Sequence, residues 1–264
     1  MDDRFNTTQA MREAVFFDGP EANRRYSRFW LLLILAAVIA SAGVVADSTA
    51  TVIGAMIVAP LMTPILGTML ATVLGDHTNL VRSLLLVLAG AATAIAIGYL
   101  VGSLVAVDVL AETNPQVAGR VTPGLIDLLA ALGTGVVGSV ALVRRDISDT
   151  LPGVAIAISL VPPLAVVGLA LESGSVIQGL GALLLFLTNF VAIIGTGIVV
   201  MSIYGVNRLA RVDSAGKPRR LARPVALLAV MLVIIGAPLA YTSLTVAARS
   251  IVEKGVFDTS ERWA

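Results

Sequence analysis

The chain has 264 residues, 57% of them hydrophobic and 13% charged, with a mean hydropathy of +0.94. A soluble domain carries about a quarter charged residues as a skin over its core, so an ordinary soluble enzyme, a disordered chain and a nucleic-acid module are excluded. The 18 basic and 17 acidic side chains nearly cancel, leaving no global field to steer an anionic partner, and with no cysteine and one histidine, His77, disulfides, thiolate sites and multi-histidine metal centres are excluded.

Crossing a bilayer takes about 20 mostly apolar residues. Ahead of any such stretch, Thr8 to Phe17 places Ala10, Met11, Ala14 and Val15 on one helical face, which predicts a short amphipathic helix at the membrane interface. Seven stretches then qualify as spans: 29–46, 51–74, 81–105, 124–143, 151–171, 178–204 and 224–248. The first starts too far from the N-terminus, and lacks a small-residue cleavage site, to be a signal peptide. Basic residues in the loops set the orientation. With the N-terminus inside, Arg4, Arg12, Arg24, Arg25, Arg28, Arg82, Arg144, Arg145, Arg208, Arg211, Lys217, Arg219, Arg220 and Arg223 all fall inside. Only Arg120, Arg249, Lys254 and Arg262 are left outside. The expected protein is multi-pass in a bacterial inner membrane, N-terminus cytoplasmic and C-terminus external.

Displacing the chain by 99 residues aligns it with itself without a gap. Asp47 falls on Asp146, Thr51 on Thr150, Gly54 on Gly153, Pro64 on Pro163, Gly75 on Gly174, Gly98 on Gly197 and Ser103 on Ser202. Each repeat holds three crossings, an odd number, so the second copy enters from the opposite side. The domain plan follows: a cytoplasmic segment 1–28, a first three-helix repeat 29–105, and an external linker with the start of the fourth helix, 106–127. A second, inverted repeat 128–204, a basic cytoplasmic loop 205–223, a seventh span 224–248 and an external tail 249–264 complete it. The expected fold class is all-α integral membrane, with proline-broken second helices in both repeats and a last span kinked at Pro238. Inverted repeats place equivalent segments at the midplane and give two near-equal arrangements, the basis of alternating access.

In the second span Pro60 and Pro64 stand four apart near its centre. A proline removes one donor and strands the carbonyl four residues back, which here predicts free carbonyls at Met56 and Pro60. Such groups in mid-membrane need a partner in protein, water or an ion. Ser159-Leu160-Val161-Pro162-Pro163 is the matching break in the second repeat. The expected site is therefore built from Pro60, Thr63, Pro64, Ser159, Pro162 and Pro163, with Thr63 and Ser159 supplying hydroxyls. The competing reading is a pair of proline kinks healed by neighbouring hydroxyls.

The run ADSTATVIGAMIVAPLMTPILG, preceded by REAVFF and RFWLLLILAAVIAS, resembles the bacterial membrane family known as domain of unknown function 389. The resemblance extends from about residue 12 to 205. Some members of that family carry a soluble domain beside the membrane part. About 28 residues precede the first span here, so no such domain is expected. The resemblance implies a membrane protein and no particular activity.

Among the remaining polar residues, Asn189 stands beside Thr188 about a third of the way along the sixth span, and is read either as a pathway ligand or as interhelical glue. Asp47 and Asp146 are read as helix N-caps or as carboxylates at the mouths of a pathway, and Asp127 as an ionisable group just inside the fourth span. Gly54, Gly153, Gly98 and Gly197 are expected to let helices approach closely. No HExxH, GxSxG, phosphate loop or pair of facing intramembrane carboxylates is present, so no catalysis is expected.

The functional expectation is a secondary transporter for a small ion or polar solute. Its partners are the lipid bilayer and that solute; no nucleic acid and no cofactor beyond a monovalent coupling cation are expected, and a bundle this small leaves room for a homo-oligomer. The alternatives are an ion channel lined by the same carbonyls, or a non-transporting scaffold or stress-signalling protein acting through loop 205–223.

Overall fold

A computed structural model describes residues 4–105, 107–150 and 160–206. Among them every regular element is helical. In chain order they are α1 (Thr8–Val15), α2 (Ala22–Val45), α3 (Thr49–Val58), α4 (Met62–Leu74) and α5 (His77–Gly102). Then come α6 (Pro115–Val121), α7 (Leu125–Val143), a 3-10 turn at Arg145–Thr150, α8 (Val161–Glu172) and α9 (Val176–Ile203). The expected seventh span, the loop before it and the tail lie outside the described residues.

Helices α2, α5, α7 and α9 are each long and apolar enough to cross a bilayer; α3 and α4 reach that length together, bent by 47°. Their outer faces carry bare aliphatic side chains: Ile126 is 82% and Ile177 84% exposed, and Leu31, Leu85 and Leu180 are largely so. Water would not tolerate that much contiguous apolar surface, so the chain is a multi-pass membrane protein. The two short helices α4 and α8 are different. α4 is buried without interruption from Pro64 to Val73, and α8 from Val161 to Ala170. A helix apolar on every side belongs inside a bundle, and α4 and α8 form the centre around which the long helices pack.

Contacts at the glycines fix the running directions. Gly98 of α5 abuts Ala165 of α8, and Gly102 abuts Glu172, so α5 and α8 run the same way. α4 and α5 are joined by Gly75 and Asp76 alone, and Gly67 meets Ser83 while Gly90 meets Leu61, so this pair is antiparallel. α8 and α9 form a second hairpin, with Gly179 against Leu171. It follows that α4 runs parallel to α9, which it touches at Met69 and Gly197, and antiparallel to α8. Both hairpin turns close in one manner. Gly75 (φ 68) and Gly174 (φ 79) take the left-handed conformation, and the next N–H reaches back to Ala71 O at 2.9 Å and to Ala170 O at 2.8 Å. This is the six-to-one bond of a glycine-terminated helix.

One end of the bundle, here called proximal, carries the N-terminal segment, the α4–α5 turn and the end of α7. Thr7 opens α1 by accepting the Ala10 N–H on its hydroxyl. The expected interfacial face is corrected. Met11 and Val15 are buried, with Phe16 and Phe17 after them, whereas Ala10 and Ala14 lie a further step round the helix and stay exposed. The opposite, distal end is covered by residues 107–124. Asn114 accepts the Gln116 and Val117 N–H groups to start α6 and donates its amide to Val44 O at 2.7 Å. Gln116 donates to Thr49 Oγ1, and Gln178 accepts the Ala111 N–H.

Of the glycines expected at close approaches, Gly98 and Gly197 are at such contacts, Gly153 lies outside the described residues, and Gly54 has no neighbour within 4 Å of an added Cβ. Gly54→Ala is therefore expected to raise stability by up to about 1 kcal/mol, the ordinary cost of glycine inside a helix. A higher Tm in detergent would show it.

Candidate functional site

The break between α3 and α4 begins with a local rule. A residue ahead of proline is pushed out of the α region, and Ala59 is extended at φ −64, ψ 124. Pro60 then has no N–H to offer Met56. Among the described residues no backbone N–H donates to the carbonyls of Met56, Ile57 or Val58. The chain re-enters a helix at Met62, with the Thr63 N–H on Pro60 O at 3.3 Å and the Ile65 N–H on Leu61 O at 3.4 Å. Pro64 accordingly stands in the first turn of α4, where a missing donor costs nothing. The expectation that Pro64 strands the Pro60 carbonyl is corrected: Thr63 takes it. Pro162 and Pro163, both buried, likewise open α8 behind Leu160. Pro64, Pro162 and Pro163 stand in the first turns of helices, and among the described residues the gap falls at Pro60.

Helices α4 and α8 start at neighbouring depths. From the contact of Met69 with Gly197, Met62 is seven residues back along α4 and Asn189 eight back along the parallel α9. At 1.5 Å per residue the two lie within roughly 2 Å of the same height. Leu61 touches Gly90 of α5, eight residues below Gly98, and Leu160 is five residues below Ala165, the Gly98 contact on α8, so α8 begins within about 5 Å of that level.

Asn189 is the midpoint of α9 rather than a third of the way along it. It shares a stripe with Leu185 and Ile193, which are 4% and 0% exposed, so it faces the bundle and not lipid. Its Oδ1 is buried and has no hydrogen-bond partner. Thr188, 2% exposed, donates to Leu184 O of its own helix at 2.8 Å. Thr63 is half-buried at the break. Ser159 lies outside the described residues. Among the described residues the buried polar side chains are Ser, Thr, Asn and Gln, with no charged group, so the interior can bind through lone pairs and amide donors only.

The three carboxylates expected at pathway mouths do not gather. Asp47 sits exposed in a left-handed turn (φ 49), and the cap of α3 is Ser48, whose hydroxyl accepts the Thr51 N–H. Asp127 accepts the Gly124 N–H at 2.9 Å and so closes the first turn of α7 instead of reaching inward. Asp146, at the proximal end, is paired with Arg144 at 2.5 Å. The Arg144 hydrogen bond, reinforced by its charge, holds that carboxyl below the usual carboxylate range. No group of three acidic or histidine side chains suited to a metal occurs among the described residues.

Comparison with known proteins adds a family. The profile described as Domain of unknown function (DUF389) matches residues 56–195, which include the α3–α4 break, the start of α8 and Asn189. Uncharacterized protein MJ0678 of Methanocaldococcus jannaschii is 36% identical over 177 residues, covering 67% of this chain and 54% of that protein. The chain thus spans about half the length of that curated relative. No solved structure matches.

Proposed function

We propose that this chain, which belongs to the family of domain of unknown function 389, is a non-enzymatic secondary transporter for a small ion or polar solute. The solute is held at mid-bundle between the α3–α4 break, the start of α8 and Asn189. The observation that carries the reading is the Asn189 carbonyl oxygen, buried in mid-bundle without a partner. An unsatisfied buried acceptor costs about 1–3 kcal/mol, and a ligand with a donor or a positive charge removes that cost.

Inverted repetition supports the same reading. α4 and α8 begin at Met62 and Val161, and α5 and α9 at His77 and Val176, both pairs 99 residues apart. The matched half-helices run antiparallel, and each packs on the long helix of the other hairpin, α8 on α5 and α4 on α9. Exchange of conformation between such halves is how alternating access works. An interior without charge suits a monovalent cation or a neutral polar solute better than a multiply charged one. On this reading the proximal end, with Arg12, Arg24, Arg25, Arg28, Arg144 and Arg145, faces the cytoplasm.

The test is a thermal-shift screen of purified protein against monovalent cations and polar metabolites, followed by uptake into proteoliposomes. A ligand at 100 times its Kd stabilises by about 2.7 kcal/mol. Asn189→Leu is expected to raise the Tm of the ligand-free protein, by removing the orphaned acceptor, and to abolish both the ligand-induced shift and uptake. Full uptake by Asn189→Leu and by Thr63→Ala would overturn the site.

A further inference from the structure

We infer that residues 4–17 form a strap that latches the proximal end shut, and that its release from α7 opens the central site toward that end; the inference rests on the transporter reading above. The strap has two halves of different chemistry. Its first half is main-chain and polar. Phe5 forms an antiparallel bridge with Arg144, the Asn6 N–H bonds Val143 O at 2.9 Å, its side-chain amide bonds Leu142 O at 2.9 Å, and the Arg145 N–H bonds Arg4 O at 2.9 Å. The two Asn6 bonds occupy carbonyls that the end of α7 leaves without helical partners. The Phe5 ring, 42% exposed, lies 6.1 Å from Tyr204 at the end of α9. Nothing fully buried holds this half down.

The second half is apolar and tight. Met11 and Phe16 are 0% exposed, and Val15 O lies against Gly67 of α4. Arg12 pairs with Asp76 in the α4–α5 turn at 2.9 Å, Arg25 donates to Phe16 O, and Arg82 donates to Phe17 O. Burial pushes the Asp76 carboxyl up, but hydrogen bonds from the Asn79 side chain and backbone N–H and from Arg12 outweigh it and hold it below the ordinary range. The carboxyl therefore stays charged beside Arg12 at neutral pH. Directly, α7 packs on α9 and barely on α4. Among the described residues, the strap joins the end of α7 to the α4–α5 hairpin. If the halves part, the polar end lets go of α7 while α1 stays with α4. Release of the polar half therefore breaks these three hydrogen bonds while α1 keeps its buried contacts with α4.

The chain has no cysteine, so one introduced thiol reports without background. Ser139 is 0% exposed, four residues from the proximal end of α7, with its hydroxyl spent on its own helix. In proteoliposomes, Ser139→Cys should react slowly with a membrane-impermeant maleimide added on the proximal side. Adding Asn6→Ala, or Asn6→Pro to remove the N–H as well, should speed that labelling at least tenfold with the melting temperature little changed. Unchanged labelling in both variants would overturn the latch. Phe5→Cys with Arg144→Cys, opposite each other in the bridge, gives the converse test. Oxidation should stop uptake of the solute found by the screen and reduction should restore it, whereas full uptake by the oxidised protein overturns the latch. Faster labelling without uptake in any form would refute the transporter reading and leave the latch standing.

Discussion

Gly168→Ala should destabilise this bundle by on the order of 3 kcal/mol, and should strip most of the monodisperse protein from a detergent extract. A Cβ at Gly168 would fall on the Ile95 carbonyl and the Tyr99 N–H, backbone atoms of α5 that no side-chain rotation can move. Gly98, across the same contact, would put its Cβ 2.5 Å from Ala165 O. α8 can retreat only by sliding as a whole, and with ten consecutive buried residues, Val161 to Ala170, it has nowhere to go. At Gly197 an added Cβ meets the Met69 thioether instead, a flexible group that can yield, so Gly197→Ala should cost about 1 kcal/mol less. Gly133→Ala, which meets nothing within 4 Å, is the clash-free control and should melt at or slightly above its parent, as expected for Gly54→Ala. The comparison is read from Tm in one detergent. A Gly168→Ala protein melting within a degree or two of its parent would mean that the α5–α8 contact does not hold α8 in place.

That contact also bears on the proposed mechanism. On the proposed duplication, Gly98 corresponds to Gly197 and Gly168 to Met69, so one crossing recurs in two versions. In one, backbone touches backbone; in the other, a methionine fills the space. The two halves are therefore not interchangeable in energy, even if they are in shape. Asn189 sharpens the difference, because the residue that corresponds to it is Gly90, packed against Leu61, Leu33 and Phe29. On the transporter reading, the polar ligand would come from one half alone.

How much of this was legible in the chain depends on the range of the interaction. Spans were readable because apolar length is a local property: the stretch expected at 178–204 is α9, Val176–Ile203. The span expected at 29–46 lies in α2, which begins earlier, at Ala22, because a helix can continue past the bilayer into Arg24, Arg25 and Arg28, where hydropathy is silent. Proline positions were readable, but their roles were not. Whether a proline breaks a helix or begins one depends on where the preceding helix has already stopped, and the extended Ala59 decided that for Pro64. Asn189 was found from polarity alone, as the one amide deep in a span. The Arg12–Asp76 pair and the Asn6 bonds to α7 join residues 64 and 136 positions apart, and no local pattern announces them. Asp47 misled for a plainer reason: the next residue, Ser48, is an equally good cap.

Pro60→Ala should separate a functional break from a tolerated kink. Alanine restores the N–H that can reach Met56 O and frees Ala59 from the constraint of a following proline, so α3 and α4 can join into one helix. A proline in a helix interior costs about 3 kcal/mol, which makes the continuous form the more stable one once Pro60 is gone. The variant is expected to melt higher than its parent while uptake falls at least tenfold, because the carbonyls of Met56, Ile57 and Val58 turn back into the helix. Pro64→Ala is the contrast. Its N–H would point out of the first turn of α4, so the 47° bend should persist. In the cysteine-free chain, spin labels at Ile53→Cys and His77→Cys, both exposed positions, should move apart by roughly 3 Å in Pro60→Ala and not in Pro64→Ala, from the rise per residue along two rods brought into line. A straightened Pro60→Ala protein that still transports at the parental rate would show that the break is architecture, with the solute bound elsewhere. Loss of uptake with the bend intact would place the effect on the Pro60 ring itself.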